Sequence, residues 1–319
     1  MRAKARAQPN IALIKYWGKR DTERNLPAVG SISITLDELY TTMDVELLDA
    51  GTDDSLRVNG EGAPKMLARV SQCLDRVLGP DRSPARIASE CNFPIAAGLA
   101  SSASAFAATV VAAAAAGNRE LQTSALASLA GAASGSAARS LYGGFLELTN
   151  TEDDIAVRNL RAAGEWPLTV VVAITSAGSK PVSSGDAMEI SRRTSPFYSR
   201  WVESQDQDLD VARKAIADRD FGRLGSVSEH NCLKMHSVMW ASRPSIIYWN
   251  SATLNCMQTV RSLQSDGVSV FFTIDAGPQV KAVCLPGHAS DVLSALEATE
   301  GVTATMQSGL GQGAALVTA

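Results

Sequence analysis

The stretch from Phe93 to Gly117, FPIAAGLASSASAFAATVVAAAAAG, restricts the fold more than any other part of the chain. Alanine is the best helix former, so Ser104 to Ala116 predicts a helix, with Gly117 supplying its stop. Its small residues favour close packing. The approach to the helix is crowded, with Gly98 followed by Ser101, Ser102 and Ser104. A helix N-terminus offers unpaired N–H groups and a partial positive charge, and both suit phosphate. Gly98 lets backbone approach an anion closely, while the serine hydroxyls add donors or one ligand to a metal ion. The plain alternative is an N-capped core helix that binds nothing.

A chain of 319 residues can bury a large core in two domains or one large one. The 29 Lys and Arg against 33 Asp and Glu leave a net charge of −4, which argues against a dominant nucleic-acid or anionic-membrane surface. Five scattered cysteines with no Cys-x-x-Cys are expected to be reduced core thiols of a cytosolic protein. The basic N-terminus lacks a following apolar run, so no signal peptide is expected. The Ala-rich run is too short to span a bilayer.

In chain order, Ile11 to Trp17 reads as a buried strand that carries Lys15 within its apolar run. Such a lysine either reaches outward or points into a functional cavity. A charged loop follows, from Lys19 to Asn25. Ser31 to Leu36 and Thr42 to Leu48 predict an antiparallel pair around Asp37-Glu38. Pro64 to Val77 and Leu121 to Ala130 predict helices, with a strand at Arg86 to Cys91 between them. Ser134 to Ser140 then reads as a second Ser-rich helix start. In a helix Ser136, Arg139 and Ser140 would share one face, where an arginine fork suits a carboxylate or phosphate. An exposed arginine with no ligand is the alternative.

Gly143 to Leu148 returns as a strand, and PLTVVVAIT (Pro167 to Thr175) predicts a buried one, with a domain boundary near it. Helices are expected over Val182 to Arg193, Pro196 to Ser204, Asp208 to Asp218, Phe221 to Trp240, and Ser251 to Gln264. Val268 to Ile274 predicts a strand ending in Asp275-Ala276-Gly277-Pro278, with Val280 to Leu285 as its hairpin partner. A helix from Ala289 to Ala298 and a final pair of strands complete the chain.

Several familiar chemistries are missing. There is no Walker A pattern, no Gly-x-Ser-x-Gly elbow, and only three histidines. Gly309 to Gly313 is expected to be a turn, because no helix-forming segment follows it. His230, Cys232 and His236 sit at offsets expected to point to different sides of their helix, so they are read as core or surface residues. What remains is Lys15, Arg139, Asp275 and the two Ser-rich helix starts. Asp275 has an ordinary reading as a turn residue. Gathered in one pocket, however, these groups make a phosphate- and carboxylate-handling site with one carboxylate to orient or deprotonate a hydroxyl.

The opening NIALIKYWGKRD (Asn10 to Asp21) resembles the N-terminal signature of the GHMP small-molecule kinases, and closely that of their mevalonate diphosphate decarboxylase family. Asn25-Leu26-Pro27, Ser31 to Leu36, Pro94 to Ser104, Ser134 to Arg139, Val182-Ser183-Ser184 and Thr273 to Pro278 match the remaining blocks in order. The resemblance implies a two-domain α+β fold with the active site in the cleft between domains. It places an ATP-binding domain at 1–175 and a second domain at 176–319, in a cytoplasmic homodimer. The implied reaction is ATP- and Mg²⁺-dependent decarboxylation of a phosphorylated 3-hydroxy acid. ATP phosphorylates the 3-hydroxyl, and loss of phosphate and CO₂ leaves an alkene.

By the same resemblance, Asp275 orients or deprotonates the hydroxyl, Arg139 grips the carboxylate, and Lys15 holds charge beside Asp275. Tyr16, Lys19, Ser134, Ser136, Ser183 and Ser184 would bind the 5-phosphate end of the substrate. Pro94, Gly98, Leu99, Ala100, Ser101, Ser102 and Ser104 would cradle ATP, with Ser102 the ligand to Mg²⁺. Gly185 departs from the family pattern, since some bacterial members have an arginine there that helps to hold a diphosphate. The substrate could thus be 5-diphosphomevalonate, the first choice, or 5-phosphomevalonate. A 3-kinase that stops before decarboxylation is the further alternative.

Overall fold

The computed structural model describes residues 1–49, 51, 53–93, 100–176, 178 and 180–317. The Ala-rich run forms helix α2 (Ser101–Ala116), which follows α1 (Pro64–Leu78) and precedes α3 (Thr123–Ala133). Helix α2 lies on a six-stranded sheet ordered Ala315–Leu316, Arg2–Ala7, Thr41–Leu47, Ala85–Cys91, Ser55–Val58 and Glu61–Gly62. Its alanines let α1, α3 and the sheet close around it, and Ala103, Ala107, Ala112 and Ala113 are fully buried. Small side chains permit that approach and larger ones would not.

A second sheet orders Ile155–Arg161, Phe145–Asn150, Ser31–Thr35 and Asn10–Ile14. The expected hairpin around Asp37-Glu38 is therefore not formed. Ser31–Thr35 pairs with Asn10–Ile14 and Phe145–Asn150, whereas Thr41–Leu47 pairs in the first sheet with Arg2–Ala7 and Ala85–Cys91. The link between them carries the chain from one sheet to the other.

The third sheet orders Val270–Ile274, Val280–Cys284, Thr169–Ile174 and Ala304–Ser308. The continuous apolar run TVVVAI is explained by burial on both faces. Val170, Val172 and Ile174 join the core shared with the second sheet and α5 (Tyr198–Asp218), while Val171 and Ala173 face α7 (Ser251–Ser265) and α8 (Ala289–Glu297). The expected final pair of strands is split. Ala304–Ser308 pairs with Thr169–Ile174, and Ala315–Leu316 pairs with Arg2–Ala7 in the first sheet.

Of the remaining helices, α4 (Ser184–Thr194) and α6 (Phe221–Trp240) lie near their expected positions. The two helices expected between Pro196 and Asp218 are one, because neither Gly nor Pro interrupts Ser204 to Asp208. The Gly309 to Gly313 segment is more than a turn. Gly311 N donates to Thr35 O at 2.9 Å, and its oxygen accepts from Gly144 N at 3.0 Å. A Cβ on Gly311 would collide with the backbone of Leu36 and Asp37.

Candidate active site

The first segment reaches the site by leaving its sheet. After Ile14 the backbone of Lys15 is held by side chains of α5 and α6: its N–H donates to Asn231 Oδ1 at 2.7 Å, and its oxygen accepts from Gln205 Nε2 at 2.7 Å. Trp17 O accepts from Trp201 Nε1 at 3.0 Å. The strand expected to run to Trp17 thus ends at Ile14, because side chains take over its backbone partners.

That turn aims the Lys15 ammonium at Asp275, just past the strand Val270–Ile274. Lys15 Nζ lies 2.7 Å from Asp275 Oδ1 and 2.9 Å from Ala12 O. Lys281, on the adjacent strand, reaches the other carboxylate oxygen at 3.3 Å. Lys15 and Lys281 are 1% and 0% exposed, while the carboxylate itself is 23% exposed and opens onto a cleft of about 840 Å³. Burial pushes the Asp275 carboxyl up. The opposing charges and hydrogen bonds of Lys15 and Lys281 outweigh it and hold the group well below the usual carboxylate range.

Arg139 lies on a 3₁₀ turn, Ala137–Leu141, and not on the α-helix expected after Ser134. Its Nε donates to Asn10 Oδ1 at 3.1 Å and its Nη1 to Ser31 Oγ at 2.5 Å. Asn10 in turn donates to Ser136 O and Ser140 Oγ, so the Ser140 hydroxyl is turned away from the ligand face that helical spacing predicted. The guanidinium is 2% exposed, with no carboxylate at ion-pair distance among the described residues. Burial lowers its pKa to about 10, against the opposing charges of Asp275 and Tyr16.

Around these groups the cleft is strongly cationic. Among the described residues Lys15, Lys19, Lys65, Arg69, Arg76, Arg139 and Lys180 line it, against only Glu23 and Asp275. A chain of net charge −4 has gathered positive charge here, which suits a polyanionic ligand. Burial pulls the Lys19 ammonium down, and Arg69 adds to the effect. Lys180 donates to Ser184 Oγ at 2.7 Å and to Ala276 O at 3.1 Å, tying the start of α4 to the loop after Asp275. Burial and then Lys281 lower its pKa. Ser183 caps α4 through Asp186.

Tyr16 and Gly135 meet so closely that a Cβ on Gly135 would overlap the tyrosine hydroxyl. That hydroxyl is buried without a partner among the described residues, and burial pushes its pKa up to about 12. Ser102 Oγ lies 3.3 Å from Ser134 Oγ, which joins the two Ser-rich segments at one wall. Helix α2 has no side-chain cap, and Ala100 before it is left-handed with φ 53°. These features fit magnesium-bound nucleotide: a helix N-terminus, hydroxyl oxygen at Ser102, and neighbouring cations.

Among the described residues no group of three or more His, Cys, Asp or Glu side chains could hold a metal ion. Ser104 is a correction. It is fully buried, and its hydroxyl lies 2.7 Å from Thr41 Oγ1 and 3.1 Å from Ser101 O, beneath the cleft and outside its lining. Pro94, Gly98 and Leu99 lie outside the described residues.

Lys15, Tyr16, Lys19, Ala100, Ser101, Ser102, Ser134, Ser136, Arg139, Ser183, Ser184 and Asp275 all line the one cleft. Sequence reasoning gave no role to Asn10, Arg69, Lys180 or Lys281. For Lys281 a signal existed, since a lysine inside VKAVC is as anomalous as Lys15 inside IALIKYW. Cys232 and His236, expected on different sides of α6, share a face and both meet the peptide of Ile274. Four residues are about one turn. They are core residues that brace the strand before Asp275.

A two-domain α+β fold of GHMP type, with a clamped carboxylate and a buried arginine in one cationic cleft, defines a phosphoryl-transfer enzyme. The chain belongs to the diphosphomevalonate decarboxylase family. Residues 7–157 match the diphosphomevalonate decarboxylase-like N-terminal domain, and residues 170–314 match the mevalonate 5-diphosphate decarboxylase C-terminal domain. The chain is 34% identical to the diphosphomevalonate decarboxylase of Candida albicans, over 92% of its own length and 87% of the relative. For the human diphosphomevalonate decarboxylase the identity is 33%, over 91% and 78%. Among solved structures, mevalonate diphosphate decarboxylase from Staphylococcus aureus superposes with a TM-score of 0.93 at 35% identity, covering 99% of this chain and 98% of that one. A structure described as MDDEF in complex with MVAPP, AMPPCP and magnesium also gives 0.93, at 34% identity, with 100% and 99% covered.

Proposed function

We propose that the chain converts (R)-5-diphosphomevalonate and ATP to isopentenyl diphosphate, ADP, phosphate and CO₂. The observation that carries this reading is the carboxylate of Asp275 held by two buried lysines in the cleft that also presents Arg139. Magnesium-bound ATP supplies the phosphoryl group that makes the 3-hydroxyl a leaving group.

Asp275 orients that hydroxyl and receives its proton, while Lys15 keeps the carboxylate in place. Arg139, buried without a carboxylate partner, grips the substrate carboxylate until CO₂ departs. Lys19, Tyr16, Ser134, Ser136, Ser183 and Ser184 take the diphosphate, with Arg69 adding charge. The uncapped start of α2, Ala100, Ser101 and Ser102 take the nucleotide phosphates, with Ser102 offering oxygen to magnesium. A solved relative described as in complex with MVAPP, AMPPCP and magnesium supports the choice of ligands.

The decisive experiment measures ADP and CO₂ release with ATP and Mg²⁺ on 5-diphosphomevalonate and on 5-phosphomevalonate. Preference for the diphosphate supports the proposal and makes Gly185 a tolerated departure, its charge replaced by Lys19 and Arg69. Preference for the monophosphate keeps the chemistry and changes the substrate. ADP without CO₂ leaves a 3-kinase.

We also propose a division between the domains before Thr169 instead of after residue 175, because Thr169–Ile174 pairs only with strands of the C-terminal half. A homodimer belongs to the same proposal and would appear as twice the 33.5 kDa chain mass in sedimentation equilibrium; a single-chain mass would refute it. A cytoplasmic location is proposed on the same footing, and fractionation of the source cells would check it. Among the described residues no helix is long and apolar enough to cross a membrane.

A further inference from the structure

The lysine at position 281 is hard to explain as packing. It is the second residue of Val280–Cys284, a wholly buried strand of the third sheet, between Val280 and Ala282. A strand buried on both faces ordinarily carries only apolar side chains. Replacing such a buried ion by an apolar group of similar volume often leaves a protein as stable or more so. Its register places it opposite Thr273, two residues before Asp275, so its ammonium emerges beside that carboxylate. It lies 3.3 Å from Asp275 Oδ2, on the oxygen that Lys15 does not hold. It is 0% exposed and does not line the cleft.

We propose that Lys281 is a positioning residue: from behind the cleft wall it fixes the second oxygen of Asp275 and so sets the plane of the carboxylate. A carboxylate tied through one oxygen can swing about its Cβ–Cγ bond. Tied through both, it presents one orientation to a hydroxyl in the cleft, and no rearrangement is needed when the reaction begins. Lys281 acts only through Asp275, because substrate in the cleft does not reach it. The other titratable groups facing this pair are Lys15 from the first segment, Arg139 from the 3₁₀ turn and Lys180 before α4, with Cys232 and His236 from α6. Burial lowers the Lys281 pKa, while Asp275 acts to keep the ammonium charged. The inference rests on the proposed decarboxylase reading for its kinetic test, and not for its spectroscopic one.

The kinetic test is Lys281→Met in the full-length protein, with CO₂ release followed against pH. Loss of a supporting partner should lower kcat about 10- to 100-fold. KM for either substrate should change by less than about threefold, since no ligand contact is removed. With one cation gone, Asp275 accepts a proton more readily, so the acid limb of kcat should move to higher pH. Lys281→Arg keeps the charge and should leave that limb near the wild-type position. A lower melting temperature with unchanged kcat and an unmoved limb would overturn the proposal.

A second measurement holds even if the Met variant does not fold. In ¹⁵N-lysine-labelled protein, Asp275→Asn should move the ammonium signals of both Lys15 and Lys281. Movement of only one would overturn the proposal whether or not the wild type releases CO₂. Absence of CO₂ release by the wild type, with both signals moving, would instead refute the decarboxylase reading and leave the clamp standing.

Discussion

Lys15 Nζ and Asp275 Oδ1 are 2.7 Å apart across a sequence separation of 260 residues, and the pair joins the first segment of the chain to the third sheet. The strand that ends at Ile14, just before Lys15, is nearly all apolar, so the ammonium has few other polar partners, Ala12 O being one. The Asp275 carboxylate is consequently a fixed, ionised group at the cleft wall. Asp275→Asn keeps the shape and removes the charge and the proton acceptor. Turnover should fall by about 10³-fold or more, while nucleotide binding measured by calorimetry stays within about threefold. Retained turnover would remove Asp275 from the mechanism.

Among the described residues Arg139 hydrogen-bonds only to the neutral Asn10 and Ser31, so an entering anion would supply its direct charged partner. For Arg139→Met, kcat/KM with the carboxylate-bearing substrate should fall by about 10²-fold or more, the scale of losing a pair of charge-assisted hydrogen bonds. Adding that substrate raises the melting temperature of the wild type, and the rise should vanish in the variant. A variant that melts as the wild type does, with and without substrate, would show that Arg139 does not grip it.

Gly135 is constrained by the hydroxyl of Tyr16, which occupies the space a Cβ would need. Gly135→Ala must displace Tyr16 or the Ser134–Ser136 segment, both of which line the cleft. Overpacking of this kind costs about 1–3 kcal/mol. The loss should fall on kcat/KM for the phosphorylated substrate, roughly tenfold, with nucleotide affinity less affected. Unchanged kinetics for both ligands would mean that the contact relaxes without moving the site.

His236 is buried against Trp249, with its Nε2 3.2 Å from Ile274 O, and burial lowers its pKa to about 3. In the unfolded chain a histidine titrates near about 6.5. Between these values the unfolded state binds a proton that the folded state does not, so this contribution is complete above about pH 6.5. It is lost as the pH falls toward about 3. From pH 7.5 to 5.5 the loss is about 1.4 kcal/mol. His236→Gln should therefore show a shallower fall of chemical-unfolding stability over that range; identical slopes would show that His236 titrates normally.

Much of the local structure was legible in the sequence. Phe221 to Trp240 forms a helix with the expected ends, and the small residues of α2 are buried as close packing requires. Lys15 was marked by its apolar surroundings, and the ordered blocks from Asn10 to Pro278 identified the family. These signals are local or repeated along the chain, and residue type alone carries them.

What the sequence did not contain was the choice of partners. Ser31–Thr35 and Thr41–Leu47 have good strand patterns, yet they belong to different sheets, because alternation specifies which face is buried and not which strand lies alongside. Ser104 resembled a phosphate ligand by position, but its hydroxyl is satisfied by Thr41, 63 residues away. Lys281 became part of the site only when the strand register brought it beside Asp275. The cost of a buried charge depends on what the completed fold places within a few ångströms of it, and tertiary structure alone decides that.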